Sequence, residues 1–291
     1  MSVGRDRFGP MRQPVDEWIE VAAGTRLRVR HHPGPAATPF LLVHGLSSNA
    51  RLWDEVAGHL DGHPVYAVDQ RSHGESDAPP DGYDTATAAE DLATVIRTLG
   101  LAAPVVAGQS WGGNVVVRLA ARHPELVSAL ALVDGGWIDL STDFDSWAAC
   151  EAAVRPPDID GQQPEWLLDL LRTEHPDWSA AAIEATMANL RIRADGRLER
   201  RLPVPQHMLI VRSLWDDPPW PDYPAITVPV LLLPAVPPEG PIAERRRARV
   251  GKAAAALANA RIREYVGADH DLHAQHPAEL AADLLTLAAA V

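Results

Sequence analysis

Ser110 lies in Gly108-Gln109-Ser110-Trp111-Gly112, directly behind the apolar run Val105-Val106-Ala107. The spacing G-x-S-x-G places a serine on a sharp strand-to-helix turn, where flanking glycines let neighbouring backbone approach and leave the hydroxyl exposed at the tip. The chemistry this suits is nucleophilic attack. A serine hydroxyl is a poor nucleophile near neutral pH and needs an adjacent base. The base in turn needs a third group that orients it and stabilises its charged form.

Such a serine must be presented by a sheet with helices packed on it, and the chain alternates accordingly. "EWIEVAAGTRLRVRHH" (17–32) alternates around Ala23-Gly24 and reads as a β-hairpin. "PFLLVHG" (39–45) is a continuous apolar run, typical of a buried parallel strand. "NARLWDEVAGHL" (49–60) carries Leu52, Val56 and Leu60 at four-residue spacing and predicts a helix. A strand "PVYAVDQ" (64–70) follows, then a helix "TATAAEDLATVIRTLG" (85–100) with Thr85 as N-cap and Gly100 as stop. "PVVAG" (104–108) is the strand that leads to Ser110, "GGNVVVRLAARHPE" (112–125) a helix ending before Pro124, and "SALALVDGG" (128–136) another strand. Between Gly135 and Pro224 the sequence offers helical stretches, six of the nine tryptophans and no convincing strand. Alternation resumes with strand "TVPVLLLPA" (227–235), helix "AERRRARVGKAAAALAN" (243–259), strand "ARIREYVG" (260–267) and helix "HPAELAADLLTLAAAV" (276–291). The pattern predicts one α/β sheet, mostly parallel and covered by helices on both faces, interrupted by a helical insertion.

Composition removes several function classes. The chain has 291 residues, is 46% hydrophobic and 22% charged, and carries a formal net charge of −13. That charge argues against nucleic acid and anionic membrane surfaces as partners. Cys150 is alone, which leaves no internal disulfide and no CxxC pair. The first residues, "MSVGRDRFGPMRQP", lack the apolar core of a signal peptide, and no stretch approaches the roughly 18 apolar residues of a membrane span. The expectation is a cytoplasmic protein acting on a small molecule without a cofactor or metal. Oligomeric state is left open, a homodimer included.

With its serine turn in this setting, the chain resembles the α/β-hydrolase superfamily over nearly everything after residue 17. "LLVHGLSSNARLW" resembles the family's His-Gly oxyanion loop, "VDQRSHGESDAP" its D-x-R-G-x-G-x-S loop, and "GADHDLHAQHP" its late histidine loop. The resemblance implies Ser110 as nucleophile and His270 as base, in the family's chain order. It implies an oxyanion hole from the backbone N–H groups of Leu46 and Trp111. It also implies a tail at 1–16, a core at 17–135 and 224–291, and a helical cap at 136–223, inserted after the sixth strand. His44 and His73 read as structural histidines. Asp269, Asp271, His273 and His276 could suggest a metal, but the serine motif already accounts for His270.

One part of the pattern is missing. Most of the family places its triad acid shortly after the strand that follows the cap, and "VPVLLLPAVPPEGP" contains no Asp. Two replacements stand nearby. Asp134 ends the strand "SALALVDGG", the position from which the haloalkane dehalogenases of this family take their acid. Glu239 lies in the usual loop, late and behind three prolines. Asp134 is preferred, with Glu239 as runner-up, because two glycines after Asp134 free the backbone there.

A serine at position 110 suits acyl transfer: attack on an ester, lactone, thioester or amide of a small, largely apolar substrate, then hydrolysis of the acyl-enzyme. A pocket from His44, Gly45, Trp137, Trp147 and Trp215 is expected, with Trp111 beside the substrate. Alternatives are a proline-iminopeptidase-like aminopeptidase using Glu151, Glu165, Glu174 or Glu184, a C–C bond hydrolase, a non-hydrolytic acyltransferase, and a small-molecule receptor on a hydrolase fold.

Overall fold

The structure is a computed structural model that describes residues 13–35, 38–60 and 62–291. The expected tail at 1–16 therefore lies mostly outside the described residues, and Val15 and Asp16 already belong to the first strand. In chain order the strands are β1 (Val15–Ala22), β2 (Thr25–His32), β3 (Phe40–Val43), β4 (Val65–Val68), β5 (Val105–Gln109), β6 (Ala129–Val133), β7 (Leu190–Ile192), β8 (Leu198–Arg200), β9 (Val230–Leu233), β10 (Ala235–Val236), β11 (Ala260–Ile262) and β12 (Tyr265–Val266). The helices are α1 (Asp54–His59), α2 (Thr85–Thr98), α3 (Trp111–Arg122), α4 (Trp147–Val154), α5 (Pro164–Glu174), α6 (Ala180–Met187), α7 (Val204–Asp216), α8 (Pro241–Ala256), α9 (Leu272–Gln275) and α10 (Pro277–Ala288).

The large sheet has the order β1-β2-β4-β3-β5-β6-β9-β11. β1 pairs antiparallel with β2 and β2 with β4, and every later pairing is parallel. Its inner strands β3, β6 and β9 are apolar throughout because both faces are covered. Leu41, Val43, Val106, Leu130, Leu132 and Leu232 point to the side of α2, α3 and α8. Their neighbours Phe40, Leu42, Val105, Ala107, Ala131 and Leu233 point to the side of α1 and α10. Successive side chains of a strand face opposite ways, so a doubly covered strand must be apolar at every position. Each fully buried Leu or Val there contributes about 1.5–3 kcal/mol.

Three local expectations need correction. The helix predicted over 49–60 opens as a 3-10 turn at Ala50–Trp53, capped by Asn49, and becomes α-helical only at Asp54. The strands predicted over 227–235 and 260–267 each divide in two. Pro234 has no N–H to continue the ladder, so β9 stops at Leu233, and β10 pairs separately with β12. The insertion is also not purely helical. β7 and β8 form an antiparallel hairpin around Asp195-Gly196, where Gly196 adopts φ +79°. Three-residue strands carry too little alternation to register as a period. Between β6 and β9 the insertion contributes α4 to α7 and this hairpin, and adds no strand to the large sheet. No helix among the described residues is long and apolar enough to cross a membrane.

Candidate active site

Ser110 sits between the end of β5 and the start of α3 with φ +53° and ψ −124°. An L-residue held there costs on the order of 1–3 kcal/mol and persists only where surrounding structure enforces it. Here the enforcement is backbone: Ser110 N–H donates to Val133 O at 3.0 Å, and Ser110 O accepts from Gly113 N–H at 2.9 Å. The glycines are required by crowding. A Cβ on Gly108 would lie 2.3 Å from Gly112 O, and one on Gly112 would lie 2.5 Å from His44 O. Strand, turn and oxyanion loop thus approach closer than any side chain permits.

His270 and Asp134 meet beside this turn. His270 Nδ1 lies 2.6 Å from Asp134 Oδ2, across 136 positions of sequence. Asp134 follows β6, the strand hydrogen-bonded next to β5, and it too has a positive φ, +39°. Its other oxygen, Oδ1, accepts from Ala235 N–H at 3.0 Å. The backbone of β10 thus supplies a donor that holds the Asp134 carboxylate in place. Arg246 lies 3.8 Å from the same carboxylate and donates to Ala235 O at 2.6 Å. Gln109, the residue before Ser110, reaches the histidine loop through Nε2, 3.3 Å from both His270 O and Asp271 Oδ1. Glu239 is exposed in the loop before α8 and makes no side-chain hydrogen bond among the described residues. The sequence assigned no role to Ala235, Arg246 or Gln109; Gln109 fills a variable position of the serine motif, and the other two lie in no motif.

The electrostatics suit a base. Burial opposes protonation of His270, but the hydrogen bond and charge of Asp134, with Asp271 beyond it, outweigh that and raise its pKa above the ordinary histidine value. In the base role proposed below, His270 would have to be neutral to accept a proton from Ser110. Activity is therefore expected to fall as pH drops through a pKa above about 6.5, and the acid limb of kcat/KM to move to lower pH in Asp271→Asn. A pH profile with an unmoved limb would remove Asp271 from this role. Stability runs the other way. A raised folded-state pKa means the contribution of His270 is fully present below about pH 6.5 and is lost as pH rises through the folded value.

The loop after β3 is braced from behind. His44 is fully buried; its Nδ1 donates to Gly45 O at 2.7 Å and its Nε2 accepts from Gln70 N–H at 3.0 Å. Burial pushes its pKa down to about 4 and keeps it neutral. His73 is likewise buried, with its pKa lowered to about 3 by burial and by His44, and its Nε2 accepts from Ser47 N–H at 3.2 Å. Gly45 is pressed against the nucleophile turn, since an added Cβ would lie 2.8 Å from Ser110 Cβ. Neither Leu46 N–H nor Trp111 N–H donates to a protein acceptor among the described residues, so both amides are free for a ligand oxygen.

The residues expected to wall a pocket are placed as follows. A cleft of about 180 Å³ opens between the core loops and the insertion. Ser47, Ser48 and His73 line it on one side, and Leu171, Leu190 and Arg200 on the other. His44 is sealed behind the loop, and Gly45 contributes backbone against Gln109 and Ser110. Trp137 is buried in the main core. Trp147 and Trp215 pack edge to face at 6.0 Å, in a cluster with Cys150, Met208 and Leu46. The Trp111 ring is buried too, and its Nε1 donates to Thr85 Oγ1 at 3.3 Å. Trp137 and Trp111 are buried, whereas Trp147 and Trp215 are half-buried against Leu46.

Comparison with known proteins agrees with this geometry. The family model described as the alpha/beta hydrolase fold matches residues 38–217. The chain belongs to the α/β-hydrolase family. Among curated relatives, this chain is 41% identical over 122 residues to an esterase from Mycobacterium tuberculosis, a match covering 42% of this chain and 40% of the esterase. It is 38% identical over 95 residues to 2-(acetamidomethylene)succinate hydrolase from Mesorhizobium japonicum, covering 32% and 34% of the two chains. The chain thus spans two-fifths or less of the length of these relatives. Over the whole fold, a crystal structure of E-2-(acetamidomethylene)succinate hydrolase superposes with TM-score 0.77 at 24% identity, covering 94% of this chain and 98% of that one. A thioesterase domain from the curacin biosynthetic pathway superposes with TM-score 0.76 at 18% identity, covering 94% and 100%.

Proposed function

We propose that this protein is a serine hydrolase that cleaves an ester, lactone, thioester or amide of a small molecule through an acyl-enzyme on Ser110. The observation that carries the reading is the 2.6 Å bond between His270 and Asp134, beside a serine strained at φ +53°. In this scheme neutral His270 takes the Ser110 proton as the hydroxyl attacks the carbonyl. The amides of Leu46 and Trp111 receive the developing oxyanion, and Asp134 stabilises the imidazolium. His270 then protonates the leaving group, activates water against the acyl-enzyme and restores Ser110. The insertion acts as a cap, with leucines in the cleft wall to receive an apolar part of the substrate. The names of the relatives, an esterase and a 2-(acetamidomethylene)succinate hydrolase, support a hydrolytic reading.

An aminopeptidase reading has less support. Amine recognition needs carboxylates in the pocket, whereas Glu165, Glu174 and Glu184 are exposed and Glu151 is paired with Arg155 at 3.0 Å.

A fluorophosphonate probe followed by peptide mass spectrometry tests the reading. Labelling is expected at Ser110, absent in Ser110→Ala and slowed at least a hundredfold in His270→Gln. An unlabelled wild type, or labelling that ignores His270, would sink it.

A further inference from the structure

The cleft between the core loops and the insertion contains polar groups that the scheme above does not use. Ser48 Oγ and Arg200 Nε are buried and have no hydrogen-bond partner among the described residues. Both residues line the cleft. A buried donor left without an acceptor costs about 1–3 kcal/mol, so such groups point to something that binds there.

The two arginines of this wall differ. Arg201 is neutralised by Glu75, 2.6 Å away, and also donates to Leu190 O. Arg200 has no carboxylate on its side chain among the described residues. One Nη donates to Pro157 O, and Asp160 accepts from its backbone N–H rather than from the guanidinium. Its positive charge is felt across the cleft. Together with burial it holds His207 down to about pKa 4, and the ring of His207 lies 3.1 Å from Ser47 Oγ. With His73 and His207 both neutral, Arg200 is the uncompensated charge of this wall.

Resting on the serine-hydrolase reading, we propose that the cleft binds a carboxylate on the substrate, held by Arg200 and the Ser48 hydroxyl. A guanidinium offers planar paired donors that match a carboxylate, and a hydroxyl can donate to the same group. Leu167, Leu171, Leu190 and Leu202 line the rest of the cleft and suit a short hydrocarbon linker. One residue lining the cleft follows closely on the loop that abuts Ser110. Ser47 is two residues from Gly45, so their Cα atoms are within about 8 Å, and Gly45 abuts Ser110. The preferred substrate is thus a monoester or monoamide of a short dicarboxylic acid.

Hydrolysis of the monoethyl esters of succinate, glutarate and adipate, followed by proton release, tests this against ethyl butyrate, pentanoate and hexanoate. At least one monoester is expected to exceed its neutral partner tenfold in kcat/KM. In Arg200→Gln that ratio is expected to fall roughly tenfold to a hundredfold, mainly through KM, and in Ser48→Ala by a few-fold. A wild-type preference for the neutral esters, or a ratio unchanged in Arg200→Gln, overturns the proposal. If the protein hydrolyses neither series, calorimetric titration with glutarate decides. Binding to wild type that weakens at least tenfold in Arg200→Gln upholds the carboxylate site, and no binding to wild type overturns it. Fluorophosphonate labelling of Ser110 reports separately on the parent reading.

Discussion

Asp134→Asn is expected to lower kcat on any hydrolysed ester by about three to four orders of magnitude, with KM changed less than tenfold. The reason is a tautomer. Asp134 accepts the Nδ1 proton of His270 and so leaves Nε2 bare to receive the proton of Ser110. An asparagine amide turned toward Nδ1 donates instead, which moves the ring proton to Nε2 and blocks the base. The fold should survive, because Asn keeps an oxygen for Ala235 N–H and tolerates the positive φ of this position. Its melting temperature should stay within a few degrees of the wild type. Glu239→Gln is the contrast and should stay within about twofold of wild type in kcat/KM, since an exposed side chain without a bond to His270 orients nothing. Parallel kinetics on the two variants decide: a large loss in Glu239→Gln with a mild effect in Asp134→Asn would return the acid to the later loop.

Gly135→Ala is expected to remove fluorophosphonate labelling and to lower the melting temperature by roughly 5–15 °C. An added Cβ at Gly135 would lie 2.1 Å from Ser110 O and 2.6 Å from both Ser110 Cα and N. These are backbone atoms of the strained turn, and they cannot rotate aside as a side-chain tip would. Relief requires β6 to move away from the end of β5, which withdraws Asp134 and relaxes Ser110 together. Gly251→Ala is the control. It lies within α8 with nothing within 4 Å of the added Cβ, and should be neutral or stabilising by about 0.5–1 kcal/mol. Thermal melts and labelling rates on both variants separate crowding at the turn from a general intolerance of alanine. Labelling of Gly135→Ala at the wild-type rate would mean that the turn does not depend on this approach.

Much of the architecture was legible in the residues because its causes are local. A doubly covered parallel strand must be apolar throughout, so Phe40–Val43, Val105–Gln109 and Ala129–Val133 declared themselves as runs. A strand that turns into a helix over a serine needs glycines on both sides, so the turn at Ser110 was readable from five residues. Family resemblance supplied His270, and the glycines after Asp134 hinted that backbone would crowd there. What escaped were features whose cause is non-local or too short to have a period. Pro234 divides a predicted strand because the ladder needs its missing N–H, and β7 and β8 are too brief to alternate visibly.

By itself, then, the sequence determined the alternating sheet, the place of the serine turn and the order of its partners, since strand burial and turn geometry act over a few residues. Tertiary structure decided which carboxylate meets His270: the sequence preferred Asp134 to Glu239 only on the glycines that follow it, whereas the pairing of β6 with β9 sets Asp134 against Ala235. Tertiary structure alone also decided where the tryptophans face and which arginine keeps its charge. Those outcomes depend on contacts between segments far apart in the chain: Trp147 against Trp215, and Glu75 beside Arg201 but not Arg200. Spacing along a sequence carries no information about which distant side chain will neutralise a charge or cover a ring. Only the packed chain brings those groups within reach.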